Sequence, residues 1–214
     1  MQKAFIFDMD GVIIDSEPIH FDAEIQTMSY LGAAITKEEL ERFVGMTNPE
    51  MWKIITQEYQ LKKSIDEIIE YQVALKINLL QACLIEPIDG IRELINDLKQ
   101  HHIPIGLASS SPRVFIEEVL RKFDLTHAFD CIVSGEEVKQ GKPAPDVYLE
   151  AAALLGVEPL NCFVVEDARH GVAAAKAAGM TCFGYVNPNS GNQDLSKADF
   201  IIDSIREIKI EKLL

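Results

Sequence analysis

Phe5-Ile6-Phe7-Asp8-Met9-Asp10-Gly11-Val12-Ile13-Ile14-Asp15 carries an apolar run into two aspartates and a glycine near the start of the chain. The run predicts a buried strand over about residues 3–8 that gives way to a glycine turn. In extended chain, residues i and i+2 point the same way roughly 7 Å apart, at about 3.3 Å of rise per residue. Asp8 and Asp10 can therefore flank one reacting atom at the strand's end. A lone Asp-x-Asp-Gly is also an ordinary acidic turn, so the rest of the chain must supply the other parts of a site.

Composition narrows the classes of function. With 214 residues and 48% hydrophobic content, the chain can bury a good-sized core, with room for an insertion. No apolar stretch approaches the ~18 residues of a membrane span, and the segment before Asp8 is too short and too strand-like for a signal peptide, so a cytoplasmic address is expected. Cys83, Cys131, Cys162 and Cys182 lack Cys-x-x-Cys spacing, the last three sit in apolar runs, and they read as buried thiols, not zinc ligands. A formal charge of −14 argues against binding to nucleic acid or to an anionic membrane, both of which need clustered Lys and Arg. A small-molecule partner and a monomer are expected. If that partner is anionic, its charge must be met locally.

The segment from 16 to 81 contains no convincing strand and several helix starts. Thr36 with Glu39 and Ser64 with Glu67 have capping-box spacing, and Asn48-Pro49 reads as an N-cap with a first-turn proline. About four helices are expected. From about 82 onward the pattern alternates: helix 89–101, strand 103–108, helix 112–123, strand 130–134, helix 145–156, strand 162–166, helix 168–178 and strand 181–186, with Asp199–Ile202 as an edge strand. Such alternation predicts an α/β fold, a Rossmann-like parallel-sheet core with an inserted all-helical cap domain. The predicted core is 1–15 with 82–214, and the cap 16–81. Right-handed crossovers place the strand ends that carry chemistry on one rim of the sheet.

Along that rim, Ser109 follows Leu107-Ala108, with Ser110 beside it, and Glu166-Asp167 follows Val164-Val165. Between them, Gly141-Lys142-Pro143-Ala144-Pro145 holds one lysine between stiffening prolines. Taken singly, Ser109 is a helix-start residue, Lys142 a solvated lysine and Glu166-Asp167 an N-cap pair. Together, in this order, they meet the needs of phosphoryl transfer: a nucleophile, an acid/base, a hard cation and donors for phosphoryl oxygens. Asp8 and Asp167 suit Mg²⁺, which takes a few oxygen ligands. The helix opening at Ser111-Pro112 adds backbone N–H groups as an anion cradle.

These residues resemble the haloacid dehalogenase superfamily, whose four ordered motifs match Asp8-Met9-Asp10-Gly11, Ser109, Lys142-Pro143 and Glu166-Asp167. The layout is similar to the phosphatases and phosphomutases of its β-phosphoglucomutase-like branch. The resemblance implies Asp8 as nucleophile through an aspartyl-phosphate, Asp10 as general acid/base, and Ser109 and Lys142 as holders of the phosphoryl group. It also implies a Mg²⁺ site from Asp8, the Asp10 carbonyl, Asp167 and the supporting Glu166. The second carboxylate favours phosphate-ester chemistry, because dehalogenase members need no proton donor to a leaving oxygen.

The cap is expected to decide whether water or a sugar hydroxyl accepts the phosphoryl group. By resemblance His20 couples cap closure to acid/base chemistry, while Thr47, Asn48 and Ser110 face substrate. Asn48 stands where a mutase would need an arginine to clamp a second phosphate, and an amide lacks that charge and fork. Lys76 is read as a surface lysine. The reading is a Mg²⁺-dependent phosphatase acting on a small phosphorylated metabolite, such as a sugar phosphate. The alternative is a β-phosphoglucomutase interconverting β-glucose 1-phosphate and glucose 6-phosphate, and outside enzymes, a phospho-accepting receiver or binding module. The cap is expected to close about connections near 14–17 and 80–87.

Overall fold

Strand β1 (Ala4–Phe7) is buried on both faces and alternates between them: Phe5 and Phe7 enter one apolar core, Ala4 and Ile6 the other. A strand sandwiched in this way has no need of polar alternation, which is why its sequence reads as a continuous apolar run. The computed structural model describes residues 2–212; Met1 and residues 213–214, at the ends of the predicted core, lie outside them.

After β1 the chain forms four helices, α1 (Glu17–Tyr30), α2 (Lys37–Leu40), α3 (Asn48–Tyr59) and α4 (Ile65–Ala82). Thereafter the order is α5 (Ile91–Gln100), β2 (Ile105–Ser109), α6 (Arg113–Lys122), β3 (Cys131–Ser134), α7 (Asp146–Leu155), β4 (Cys162–Glu166), α8 (Arg169–Ala177), β5 (Thr181–Tyr185) and β6 (Phe200–Ile202). All six strands are parallel, in the order β3-β2-β1-β4-β5-β6. The chain therefore winds outward from β1 in one direction, then crosses back to β4 and winds outward in the other. Ligands of open α/β sheets bind at such a reversal, beyond the carboxyl ends of the strands.

Helices cover both faces. The Ile91, Leu94, Ile95 and Leu98 stripe of α5 and the Phe115, Ile116, Val119 stripe of α6 pack with Phe5 and Phe7. Val147, Tyr148 and Ala151 of α7 and Val172, Ala174 and Ala175 of α8 pack with Ala4 and Ile6. Each fully buried Leu or Ile in these stripes contributes about 1.5–3 kcal/mol. The four helices after β1 have their own cluster, including Phe21, Met28, Trp52, Ile55 and Ile68.

Local boundaries follow the chain's capping chemistry with one correction. The capping boxes at Thr36/Glu39 and Ser64/Glu67 are formed. The N-cap of α3, however, is Thr47, not Asn48: Thr47 is extended (φ −74°, ψ 153°), and Glu50, three residues on, accepts its backbone N–H at 3.3 Å. The position of the glutamate selected the cap. All four cysteines are free; Cys162 and Cys182 are buried in β4 and β5 as expected, whereas Cys83, just after α4, and Cys131, at the start of the outermost strand β3, are only partly buried.

Candidate active site

The ends of β1 and β4 lie side by side, with Phe7 paired to Val165, so the residues that follow each strand meet. Asp8, Glu166 and Asp167 are all buried, and one oxygen from each lies within 4.8 Å of the others. Lys142, reaching in from the loop after β3, places Nζ 2.6 Å from Asp8 Oδ1 and 2.7 Å from Glu166 Oε1, and also donates to the Ala108 carbonyl at 3.2 Å. Lys142 is 2% exposed, a location that an ammonium tolerates only with counter-charges in contact.

The electrostatics show which way this cluster is unbalanced. Burial first, and then Glu166, push Asp8 well above the usual carboxylate range, against the pull of Lys142. Asp167 is raised in the same way by burial, Glu166 and Glu17. Burial opposes the Lys142 charge, yet Asp8 and Glu166 hold the ammonium firmly protonated. Three carboxylates thus share one ammonium, leaving a deficit of positive charge among hard oxygen donors. This donor set could hold a divalent cation.

Two glycines reserve the space these carboxylates occupy. Gly11 turns the chain at φ +74°, and a Cβ there would lie 1.9 Å from Asp167 Oδ2. A Cβ on Gly171 would lie 1.5 Å from Glu166 Oε1. The turn of Gly11 is anchored from the segment that follows β5, where Asn187 Nδ2 donates to its carbonyl at 2.9 Å and the Ser190 hydroxyl donates to Asp167.

Asp10 has separate surroundings. Oδ1 accepts from the Ser16 hydroxyl and contacts His20 Nε2, each at 2.7 Å; Oδ2 accepts from the Ser109 hydroxyl at 3.0 Å and the Ser111 hydroxyl at 2.8 Å. Burial raises its proton affinity, but His20 and the hydroxyl donors outweigh it and hold Asp10 well below the ordinary range. Its carboxylate lies outside the Asp8–Glu166–Asp167 cluster.

The residues expected at this site divide into those that line one small cavity and those that back it. Asp8, Asp10, His20, Asn48, Ser110, Lys142 and Asp167 line it. Ser109 is fully buried; instead of opening onto the cavity, its hydroxyl props Asp10 and accepts from the Ser111 N–H at 3.0 Å. Thr47 also stands back, its hydroxyl donating to Glu50 at 2.7 Å, and Ser110 donates to the Gly45 carbonyl at 2.8 Å, tying the end of β2 to the loop before α3. Glu166 accepts from Tyr148 Oη at 2.9 Å and from the Ala168 N–H at 3.0 Å. Lys76 is the clear correction: it is 4% exposed, lines the cavity, and places Nζ 3.2 Å from Glu24 Oε1. Two helices packing face to face removed it from solvent.

Sequence reading missed several residues of this site. Glu17 and Glu24 line the cavity from the same face of α1 as His20, at i, i+3 and i+7, in a helix with weak apolar patterning. Tyr148 and Gly171 were hidden in ordinary helix patterns, and Ser190 in a loop; Ser16, Glu17 and Ser111 lay within segments already singled out.

Residues 5–185 match the model of the haloacid dehalogenase-like hydrolases. The chain belongs to that family. It is 36% identical over 217 residues to hexitol phosphatase B of Escherichia coli (strain K12), an alignment covering 99% of this chain and 96% of that protein. It is 33% identical over 213 residues to a phosphorylated carbohydrates phosphatase of Thermotoga maritima, again covering 99% and 96%. Among solved structures, β-phosphoglucomutase from Clostridium difficile superposes with a TM-score of 0.87 at 30% identity, covering 100% of this chain and 96% of that one. The haloacid dehalogenase-like hydrolase therefore falls in the β-phosphoglucomutase-like branch, with the parallel sheet and inserted helices of that fold.

Proposed function

We propose that this hydrolase is a Mg²⁺-dependent phosphatase of small carbohydrate phosphates, working through an aspartyl-phosphate on Asp8. The observation that carries the reading is the buried Asp8–Glu166–Asp167 cluster with Lys142 Nζ 2.6 Å from Asp8 Oδ1. The relatives named as phosphatases of hexitol and carbohydrate phosphates support the substrate class. Asp8, the Asp10 carbonyl, Glu166 and Asp167 are the residues that would hold Mg²⁺, whose charge offsets repulsion between anionic substrate and anionic nucleophile. In this reading the catalytic core is 1–15 with 82–214, and the cap is 16–81.

The chain's own groups divide the work. Asp8 attacks phosphorus, and Lys142 steadies the transferring oxygens while pulling Asp8 toward its ionised form against burial and Glu166. Asp10 and His20, 2.7 Å apart, act as one acid/base pair. A proton carried by the pair goes to the departing alcohol, and the Asp10 carboxylate then takes a proton from water attacking the aspartyl-phosphate. Ser16, Ser109 and Ser111 aim the Asp10 carboxylate. The cavity of about 50 Å³ has room for only a few waters, each needing ~10–15 Å³ on this measure, so the cap opens to admit an ester and closes to exclude bulk water.

The test is phosphate release from p-nitrophenyl phosphate and a panel of sugar and hexitol phosphates. Release is expected with Mg²⁺, and is expected to stop with EDTA and in Asp8→Asn. Equal activity of Asp8→Asn and the native chain would end the proposal. The mutase reading has support in the structural likeness to β-phosphoglucomutase. Isomerisation of β-glucose 1-phosphate with a bisphosphate primer, exceeding release of free phosphate, would favour it.

A further inference from the structure

The cavity continues past Asp8 and Asp10 to a second polar group formed by Glu17, Glu24 and Lys76. All three are buried, at 5%, 6% and 4% exposure. Glu24 Oε1 accepts from Lys76 Nζ and from Gln72 Nε2, both at 3.2 Å, and Gln72 Oε1 accepts from Trp52 Nε1 at 3.0 Å. The Lys76 ammonium is therefore held by a carboxylate that is itself held by α4 and α3. The Glu17 side chain makes no hydrogen bond among the described residues, and on the same cavity Asn48, 6% exposed, has an amide Nδ2 that is fully buried without a partner. Buried polar atoms without partners carry a cost that a ligand can remove.

We infer that this half of the cavity receives the uncharged, hydroxyl-bearing end of a phosphate monoester and discriminates against a second anionic group. A hydroxyl both donates and accepts, matching an acceptor at Glu17 and a donor at Asn48 together. A second phosphate or a carboxylate only accepts when ionised. It would meet two carboxyl groups and one ammonium already committed to Glu24, with an amide at Asn48 in place of any further charge. Glu17 brings no positive charge in either protonation state. Like charges brought together in a desolvated site are strongly disfavoured. The same discrimination disfavours a bisphosphate intermediate and so favours hydrolysis over mutation.

The inference rests on the phosphatase reading, and the experiment separates the two. With saturating Mg²⁺, kcat/KM is measured for glucitol 6-phosphate, for 6-phosphogluconate, which ends in a carboxylate, and for fructose 1,6-bisphosphate. Turnover of p-nitrophenyl phosphate, with Asp8→Asn as control, is measured in parallel. The neutral ester is expected to exceed both anionic esters by roughly tenfold or more, a margin of about 1.4 kcal/mol or greater. Glu24→Gln, which frees the Lys76 charge while keeping a shape that can bond Gln72, is expected to narrow the gap by raising the anionic values. Comparable values for all three esters in the native chain, or an unchanged gap in a folded Glu24→Gln, would overturn the inference while leaving the phosphatase reading intact. Loss of that reading would show instead as no Asp8-dependent release from any ester. The native comparison decides even if the variant does not fold.

Discussion

At the residue scale, Lys142 and Gly171 serve the same carboxylates in opposite ways, one by supplying charge and the other by leaving space. Lys142→Met would leave Asp8 and Glu166 buried without their ammonium, and breaking a buried pair in this way costs about 3–5 kcal/mol. A lower urea midpoint without Mg²⁺, together with loss of phosphate release, is the expected result. Unchanged stability would mean that the cluster relaxes into water. Gly171→Ala would drive a methyl into Glu166 Oε1, and overpacking of this kind costs about 1–3 kcal/mol. Its urea midpoint should fall, and phosphate release should fall with it, because Glu166 cannot move without disturbing Lys142 and Tyr148. Asp10 shows what residue spacing can reveal: that two aspartates share a strand end was legible in Asp8-Met9-Asp10. That four side chains from two distant segments, 16–20 and 109–111, would converge on the second one was not.

At the element scale, the start of α8 holds the loop between α2 and α3. His170 Nδ1 donates to the Val44 carbonyl at 3.1 Å, and an Arg169 guanidinium N–H donates to the Arg42 carbonyl at 3.0 Å. Burial lowers the His170 proton affinity below its ordinary value, with the Val44 bond opposing and the Arg169 charge assisting. The native chain then binds fewer protons here than the unfolded chain, so stability is fully present above the unfolded value of about 6.5 and declines as pH falls through it. Urea midpoints measured from pH 7.5 to 5.5 should show a shallower decline in His170→Gln than in the native chain. Identical slopes would remove His170 from the account. The strands were legible because two-sided burial writes itself as apolar runs. Helix contents were readable as caps and stripes, but rotation of α4 against α1, which buries Lys76 on Glu24, leaves no mark in spacing.

At the scale of the whole molecule, a formal charge of −14 surrounds a site built for an anion. Long-range repulsion slows encounter with a phosphate ester, and salt screens it over a Debye length of about 30 Å at 0.01 M and about 8 Å at 0.15 M. With Mg²⁺ kept saturating, kcat/KM for a neutral-tailed ester should rise modestly across that range of added salt. A steady fall would mean that local attraction at Lys142 and the cation outweighs the field of the surface.

The chain by itself determined the parallel α/β alternation, the helical insertion after β1, and the set of residues delivered to the carboxyl rim of the sheet. Those follow from local rules, since strand periodicity and capping chemistry act over a few residues at a time and crossover handedness over one strand–helix–strand unit. Only the tertiary structure decided that Ser109 props Asp10, that Thr47 backs the cavity wall, and that Glu17, Glu24 and Lys76 form its far end. Glu24 and Lys76 are 52 residues apart, and their meeting depends on how two helices turn and pack against each other. Packing of that kind is settled by the summed fit of many side chains, which no single stretch of sequence encodes.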